Sequence, residues 1–205
     1  AYLFIPYILQ FQLSHFDQTA AHNFALSFQG LDYFSHSLEL LLHNVLDHEV
    51  DTRPTPENSL LPRVISFLSL FPQYLDIIVQ CIRKTEIRSW RTLFKYLPSP
   101  HELFEKSLQQ GSLRTAGGYL LIIQSFEDLS SSSEQLIRLF LKAKEGKDWT
   151  LCKELANFLI SLDQSGSILY EAVELLSLNS PMEERQKTRI LLEKIQANSN
   201  FHLSE

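Results

Sequence analysis

Apolar residues recur at intervals of three and four through almost the whole chain, the spacing that lines one face of an α-helix. These stretches predict helices over about residues 2–13, 17–29, 34–50, 59–71, 73–84, 86–97, 100–110, 112–126, 133–145, 148–162 and 166–178, followed by a more polar one over 181–196. Strict alternation over six or more residues is absent and β-branched residues are sparse, so no sheet is expected. The fold class is therefore all-α, with eleven or twelve helices.

The breaks between these stretches carry residues that stop and start helices. Gly30, Gly111 and Gly146 each follow an apolar-periodic run, where a residue free to adopt positive φ can close a helix. Ser99-Pro100 with Glu102, and Ser180-Pro181 with Glu183 and Glu184, each combine an N-cap, a proline at the first helical position and early negative charge. Pro72 lies between two apolar patterns and suits the first turn of a new helix. Residues 51–58, with Pro54 and Pro56 among polar neighbours, read as a linker. The division expected is helical repeats over 1–50, that linker, a helical repeat domain over 59–178, and a polar helix and tail over 179–205. The serine run Ser130 to Ser133 is the one stretch expected to lack order.

A weak internal repeat supports stacked hairpins. Segments starting at Phe16, Leu113 and Trp149 each place a small residue three positions later, at Thr19, Ala116 and Cys152. Those positions would let two helices approach closely. The second and third segments start one helical hairpin apart, and the architecture expected is an α-solenoid of antiparallel helical hairpins.

Composition and charge narrow the function. No apolar run approaches the ~18 residues of a membrane span. Residues 1–7 carry neither an initiator Met nor a charged leader and already read as helix, so the chain is expected to be a piece of a longer polypeptide. Cys81 and Cys152 stand far apart with no second Cys near either, which suits buried thiols in a reducing compartment. All eighteen Lys and Arg lie beyond residue 52, while Asp17, Asp32, Glu39, Asp47, Glu49 and Asp51 precede that point. Such sign asymmetry bears on partners. The net charge of -6 and pI near 5.7 argue against nucleic acid.

No nucleophile, base or phosphate-binding loop occurs at a recognisable spacing, and no cofactor is expected. Gly117-Gly118 fits close helix packing rather than a dinucleotide fingerprint. Glu39, His43 and Asp47 lie at i, i+4 and i+8, with His36 seven residues before His43, but a solvated polar face explains them better than a metal site. Trp90, Phe94, Trp149 and Phe158 carry the pattern of a packed interior. The candidate contact surface is basic. Lys84, Arg88, Arg91 and Lys95, with Arg83 beside them, would form one stripe if a single helix carried them, suited to an acidic protein patch or anionic headgroups.

Beyond this point resemblance adds what periodicity does not. Leu61-Pro-Arg-Val-Ile-Ser-Phe-Leu through Phe71-Pro, then Cys81-Ile-Arg-Lys-Thr-Glu-Ile-Arg-Ser-Trp90-Arg-Thr-Leu-Phe94, resemble the ribosome-control-protein family. Leu38-Glu-Leu-Leu-Leu-His-Asn-Val-Leu, Leu103-Phe-Glu-Lys-Ser-Leu and Thr115-Ala-Gly-Gly-Tyr-Leu-Leu-Ile-Ile-Gln share the resemblance. It covers about residues 1–162 and fades after Leu178. The block from Arg83 to Trp90 is its most specific part. The resemblance implies a C-terminal helical region behind N-terminal β-propellers, in the large subunit of a guanine-nucleotide exchange factor for a Golgi Rab GTPase of the Rab-six class. It further implies an arrestin-like second subunit, peripheral association with anionic Golgi membrane from the cytoplasm, and a role in endosome-to-Golgi and intra-Golgi traffic. No catalytic residue is carried over. The same periodicity would serve a coat or tether solenoid without exchange function, and a hydrolase whose His and acidic residues meet only in three dimensions is the alternative of another class.

Overall fold

The computed structural model describes residues 2–126 and 129–162. After a 3₁₀ turn at Tyr2–Phe4 come ten α-helices among the described residues: α1 Ile5–Ser14, α2 Gln18–Leu26, α3 Phe34–Thr52, α4 Leu61–Leu68, α5 Tyr74–Arg83, α6 Ile87–Leu93, α7 Pro100–Gln109, α8 Leu113–Phe126, α9 Leu129–Glu145 and α10 Trp149–Leu162. They correspond one for one to the first ten predicted helices, and no strand occurs among the described residues. The helices expected over 166–178 and 181–196 lie outside them.

Two compact units divide the chain after Phe126. In the first, α3 is the central element: it contacts α1, α4, α5 and α6, while α5 packs on α8 and α8 on α7. At 19 residues it is the longest helix among the described residues, about 28 Å at the usual rise. Leu38, Leu41, Leu42, Val45 and Leu46 of α3 are buried, as are Leu61, Val64, Phe67 and Leu68 of α4 and Ile78, Cys81 and Ile82 of α5. Phe71 meets Phe34 and Phe67 edge to face, with centroids 5.4 and 5.2 Å apart, a favoured aromatic geometry. In the second unit α9 and α10 pack on each other, burying Leu136, Leu139 and Ala143 on one helix and Leu151, Cys152 and Leu155 on the other.

Several local rules hold as expected. Ser99 caps α7 by accepting from the Glu102 N–H at 3.3 Å, with Pro100 in the first turn. Asp17 and Asp148 cap α2 and α10 by accepting from the Ala20 and Leu151 N–H groups. Gly111 has the positive φ that ends α7, 72°. Gly118 lies where α5 and α8 press together, since a Cβ there would sit 2.6 Å from Val79 Cγ2.

Other expectations are corrected. Gly30 and Gly146 do not take positive φ; after α9 that role falls to Lys147, φ 57°, and Phe16 and Arg53 follow α1 and α3 at 62° and 47°. Residues Ser130 to Ser133 belong to the first turns of α9 rather than lacking order; serine's helix penalty is modest, below ~1 kcal/mol per residue. Pro72 stands in the turn before α5, whose N-cap is Gln73, and is not a first-turn residue. Thr19 is exposed, and the small buried residues of α2 are Ala21 and Ala25, so the first repeat copy is out of register with Ala116 and Cys152, which are buried. Trp149 is 63% exposed; as the first residue of α10 it precedes the buried positions Leu151 and Cys152. Trp90, Phe94 and Phe158 are partly buried.

Candidate partner-binding surface

The five basic residues fall in one short stretch but on no single helix. α5 ends at Arg83, Lys84 is its C-cap, and α6 does not begin until Ile87. Lys95 lies beyond the end of α6 at Leu93. The break has a specific support: the Trp90 indole N–H donates to the carbonyls of Ile82 at 2.9 Å and Thr85 at 3.2 Å. Carbonyls that a continuing helix would have used are thus satisfied from the next one. The stripe expected from i, i+4, i+7 and i+11 spacing is therefore replaced by a basic corner of two helix ends and a turn.

All five side chains of the corner are exposed, and their pairing separates them. Lys84 Nζ bonds Glu39 Oε1 at 2.6 Å, tying the corner to α3. Arg88 Nε meets Glu86 Oε2 at 2.8 Å, with both groups in solvent, where such a pair contributes little. Arg83, Arg91 and Lys95 carry no ion pair among the described residues.

On α3 the acid and histidine row is already engaged. Glu39, besides holding Lys84, lies 3.6 Å from His36 Nδ1, and His43 Nδ1 lies 2.9 Å from Asp47. Among the described residues no group of three or more His, Cys, Asp or Glu could hold a metal ion. Burial, followed by the nearby Glu39 and Asp47 charges, pushes the Cys81 thiol up to about 12. Burial likewise raises Cys152. Both thiols are thereby kept protonated and unreactive near neutral pH.

Two polar residues that the sequence reading passed over hold this unit together. Glu49, buried in the last turns of α3, accepts from the Leu60 and Leu61 N–H groups at 2.6 and 2.9 Å and from Ser59 Oγ at 2.7 Å. It caps α4 across the connection over 53–60. Arg63 on α4 donates to the Leu13 and Ser14 carbonyls at 2.9 and 3.3 Å and lies 3.8 Å over the Phe16 ring, closing the end of α1. Neither pairing follows a local spacing rule; an acid twelve residues before the start of α4 is the signal the sequence offers.

With this geometry in place the chain can be set beside known proteins. The family model described as the RIC1 C-terminal alpha solenoid region matches residues 6–178. The chain belongs to the RIC1 family. "Guanine nucleotide exchange factor subunit R06F6.8" of Caenorhabditis elegans is 41% identical over 143 residues, covering 68% of this chain and 10% of that protein. "Guanine nucleotide exchange factor subunit RIC1" of Homo sapiens is 39% identical over 143 residues, covering 70% and 10%. The Schizosaccharomyces pombe subunit ric1 is 28% identical over 177 residues, covering 85% and 16%. The chain thus spans only 10% to 16% of these relatives' length. No solved structure matches. The RIC1 solenoid description agrees with the all-helical architecture, and the resemblance read from the Leu61 to Phe94 blocks is the family that matches.

Proposed function

We propose that this chain is a non-catalytic helical scaffold portion of a two-subunit guanine-nucleotide exchange factor acting on a Golgi Rab GTPase. It docks an arrestin-like second subunit and supports Rab activation in endosome-to-Golgi and intra-Golgi traffic, on the cytoplasmic side of the Golgi membrane. The observation that carries the reading is 39–41% identity to relatives named as exchange factor subunits. Exchange is driven by binding the nucleotide-free GTPase better than the loaded one. That demands complementary surface, which rows of exposed helix faces supply, and no reactive side chain. Within this reading Arg83, Lys84, Arg88, Arg91 and Lys95 form the electrostatic contact for an acidic partner patch or anionic headgroups.

The test uses the full-length polypeptide purified with its second subunit and a Golgi Rab loaded with fluorescent GDP. Release is expected to accelerate, and its failure to do so would remove the reading. Reversing Arg88, Arg91 and Lys95 to Glu is expected to weaken association with the partner subunit or anionic vesicles while leaving the far-ultraviolet helix signal unchanged. Screening is least at low salt, so unaltered association there would dismiss the basic corner while leaving the exchange reading standing.

A further inference from the structure

On α6 the side chains that face away from the core are of two kinds. Ser89 and Leu93 are buried and fix the inner face. Ile87, Trp90 and Phe94 fall at i, i+3 and i+7, and so do Arg88, Arg91 and Lys95, so an apolar row and a basic row run side by side over the rest of the helix. The winding carries both rows past Leu93, because the Phe94 N–H bonds the Trp90 carbonyl at 2.8 Å and the Lys95 N–H bonds the Thr92 carbonyl at 3.4 Å. Ile87 is 56% exposed at one end of the apolar row. At its side stands Phe126, 49% exposed, whose ring meets Trp90 and Phe94 edge to face at 5.6 and 6.2 Å. Large hydrocarbon thus lies open to water directly beside the cations.

We infer that this corner is a lipid-contact site: its five cations meet anionic headgroups while Ile87 and Phe126 enter the boundary between headgroups and acyl chains. A basic row beside an aliphatic and aromatic one is the composition of helices that lie in a bilayer interface. Hydrogen bonding decides against an acidic protein patch. From Arg83 to Arg91 the neutral polar side chains are spent internally: Thr85 Oγ1 donates to the Ile82 carbonyl at 3.1 Å, the Trp90 N–H to Ile82 and Thr85, and Ser89 is buried. A protein interface reads its partner through about ten directed hydrogen bonds, whereas this corner offers flexible cations and bare hydrocarbon, which suit a fluid surface. The inference deepens the basic-corner part of the reading above and rests on that part alone.

The test floats the full-length polypeptide, purified with its second subunit, with vesicles of phosphatidylcholine alone or mixed with phosphatidylserine. Binding is expected to the mixed vesicles and should fall roughly fivefold for a cation lost, as in Arg91→Gln. Ile87→Gln should lower it by a similar, roughly fivefold factor through lost burial. Ile87→Trp should raise it, a gain that misfolding does not produce. Equal binding to both kinds of vesicle, or to neither, would overturn the inference, as would Ile87 variants that float like the wild type. An Ile87→Gln complex whose subunits separate on gel filtration without vesicles would also overturn it, by making the corner a protein contact. GDP release by the wild-type complex without vesicles is read separately: a complex that floats as expected yet releases no GDP removes the exchange reading and leaves this one standing.

Discussion

Glu49 puts a buried carboxylate where two backbone N–H groups and a hydroxyl all point at it. Because the positive end of α4 adds to those bonds, Glu49→Ala leaves several buried donors without an acceptor and should cost about 2–3 kcal/mol, read as a lower urea midpoint. Gly118 is a position of the opposite kind, fixed by lack of space. In Gly118→Ala the new Cβ meets Val79, whose branched side chain has little freedom in a helix. Overpacking of roughly 1–3 kcal/mol then outweighs the helix propensity alanine gains. Adding Val79→Ala should recover part of the loss in a double-mutant cycle, and strict additivity would show that the two residues do not collide. The sequence made the second position readable, since adjacent glycines in an apolar helix already point to close packing. The first was hidden because a glutamate before a proline-rich connection looks like any surface acid.

Helices are legible where their apolar period is strong, and α1 to α10 all show it. Even the break near residue 85, which holds neither glycine nor proline, falls where periodicity divides 73–84 from 86–97; what periodicity does not reveal is what holds it. Lys84, Thr85 and Glu86 are all compatible with helix, yet Trp90 satisfies the Ile82 and Thr85 carbonyls and stabilises the turn between the helices expected over 73–84 and 86–97. Trp90→Phe keeps an aromatic ring beside Phe126 but removes that donor. It should cost about 1 kcal/mol and speed hydrogen exchange at the amides from Lys84 to Ile87. Unchanged exchange there would mean the turn is held by packing alone. The basic corner is a consequence of this break, so its charges were readable in the sequence and their arrangement was not. Trp149 was misjudged for a related reason: helical spacing says which residues share a face, not which of them lies beyond the packed contact.

Across the whole molecule, buried protonated groups set how the fold responds to alkali. Cys81 moves from its ordinary 9.0 to about 12. Between those values the folded chain keeps a proton that the unfolded chain has lost, so stability falls as pH rises above 9.0 and is unaffected below it. The phenols of Tyr74 and Tyr119, also raised by burial, add to the fall once pH passes their ordinary 10.0. Urea midpoints between pH 9 and 10 should therefore decline in the native chain and decline less in Cys81→Ala; parallel slopes would exclude the thiol as a source. The order in which the molecule assembles is constrained by Arg63. Its guanidinium reaches carbonyls fifty residues earlier in the chain, a closure that becomes cheap only after α3 has brought α1 and α4 side by side. The clasp should thus form after the folding barrier, so that Arg63→Ala hastens unfolding and leaves the refolding rate nearly untouched. A slowed refolding limb in stopped-flow would place it in the nucleus instead. It behaves as a latch shut behind a finished assembly, governing how long the fold lasts rather than how quickly it is reached.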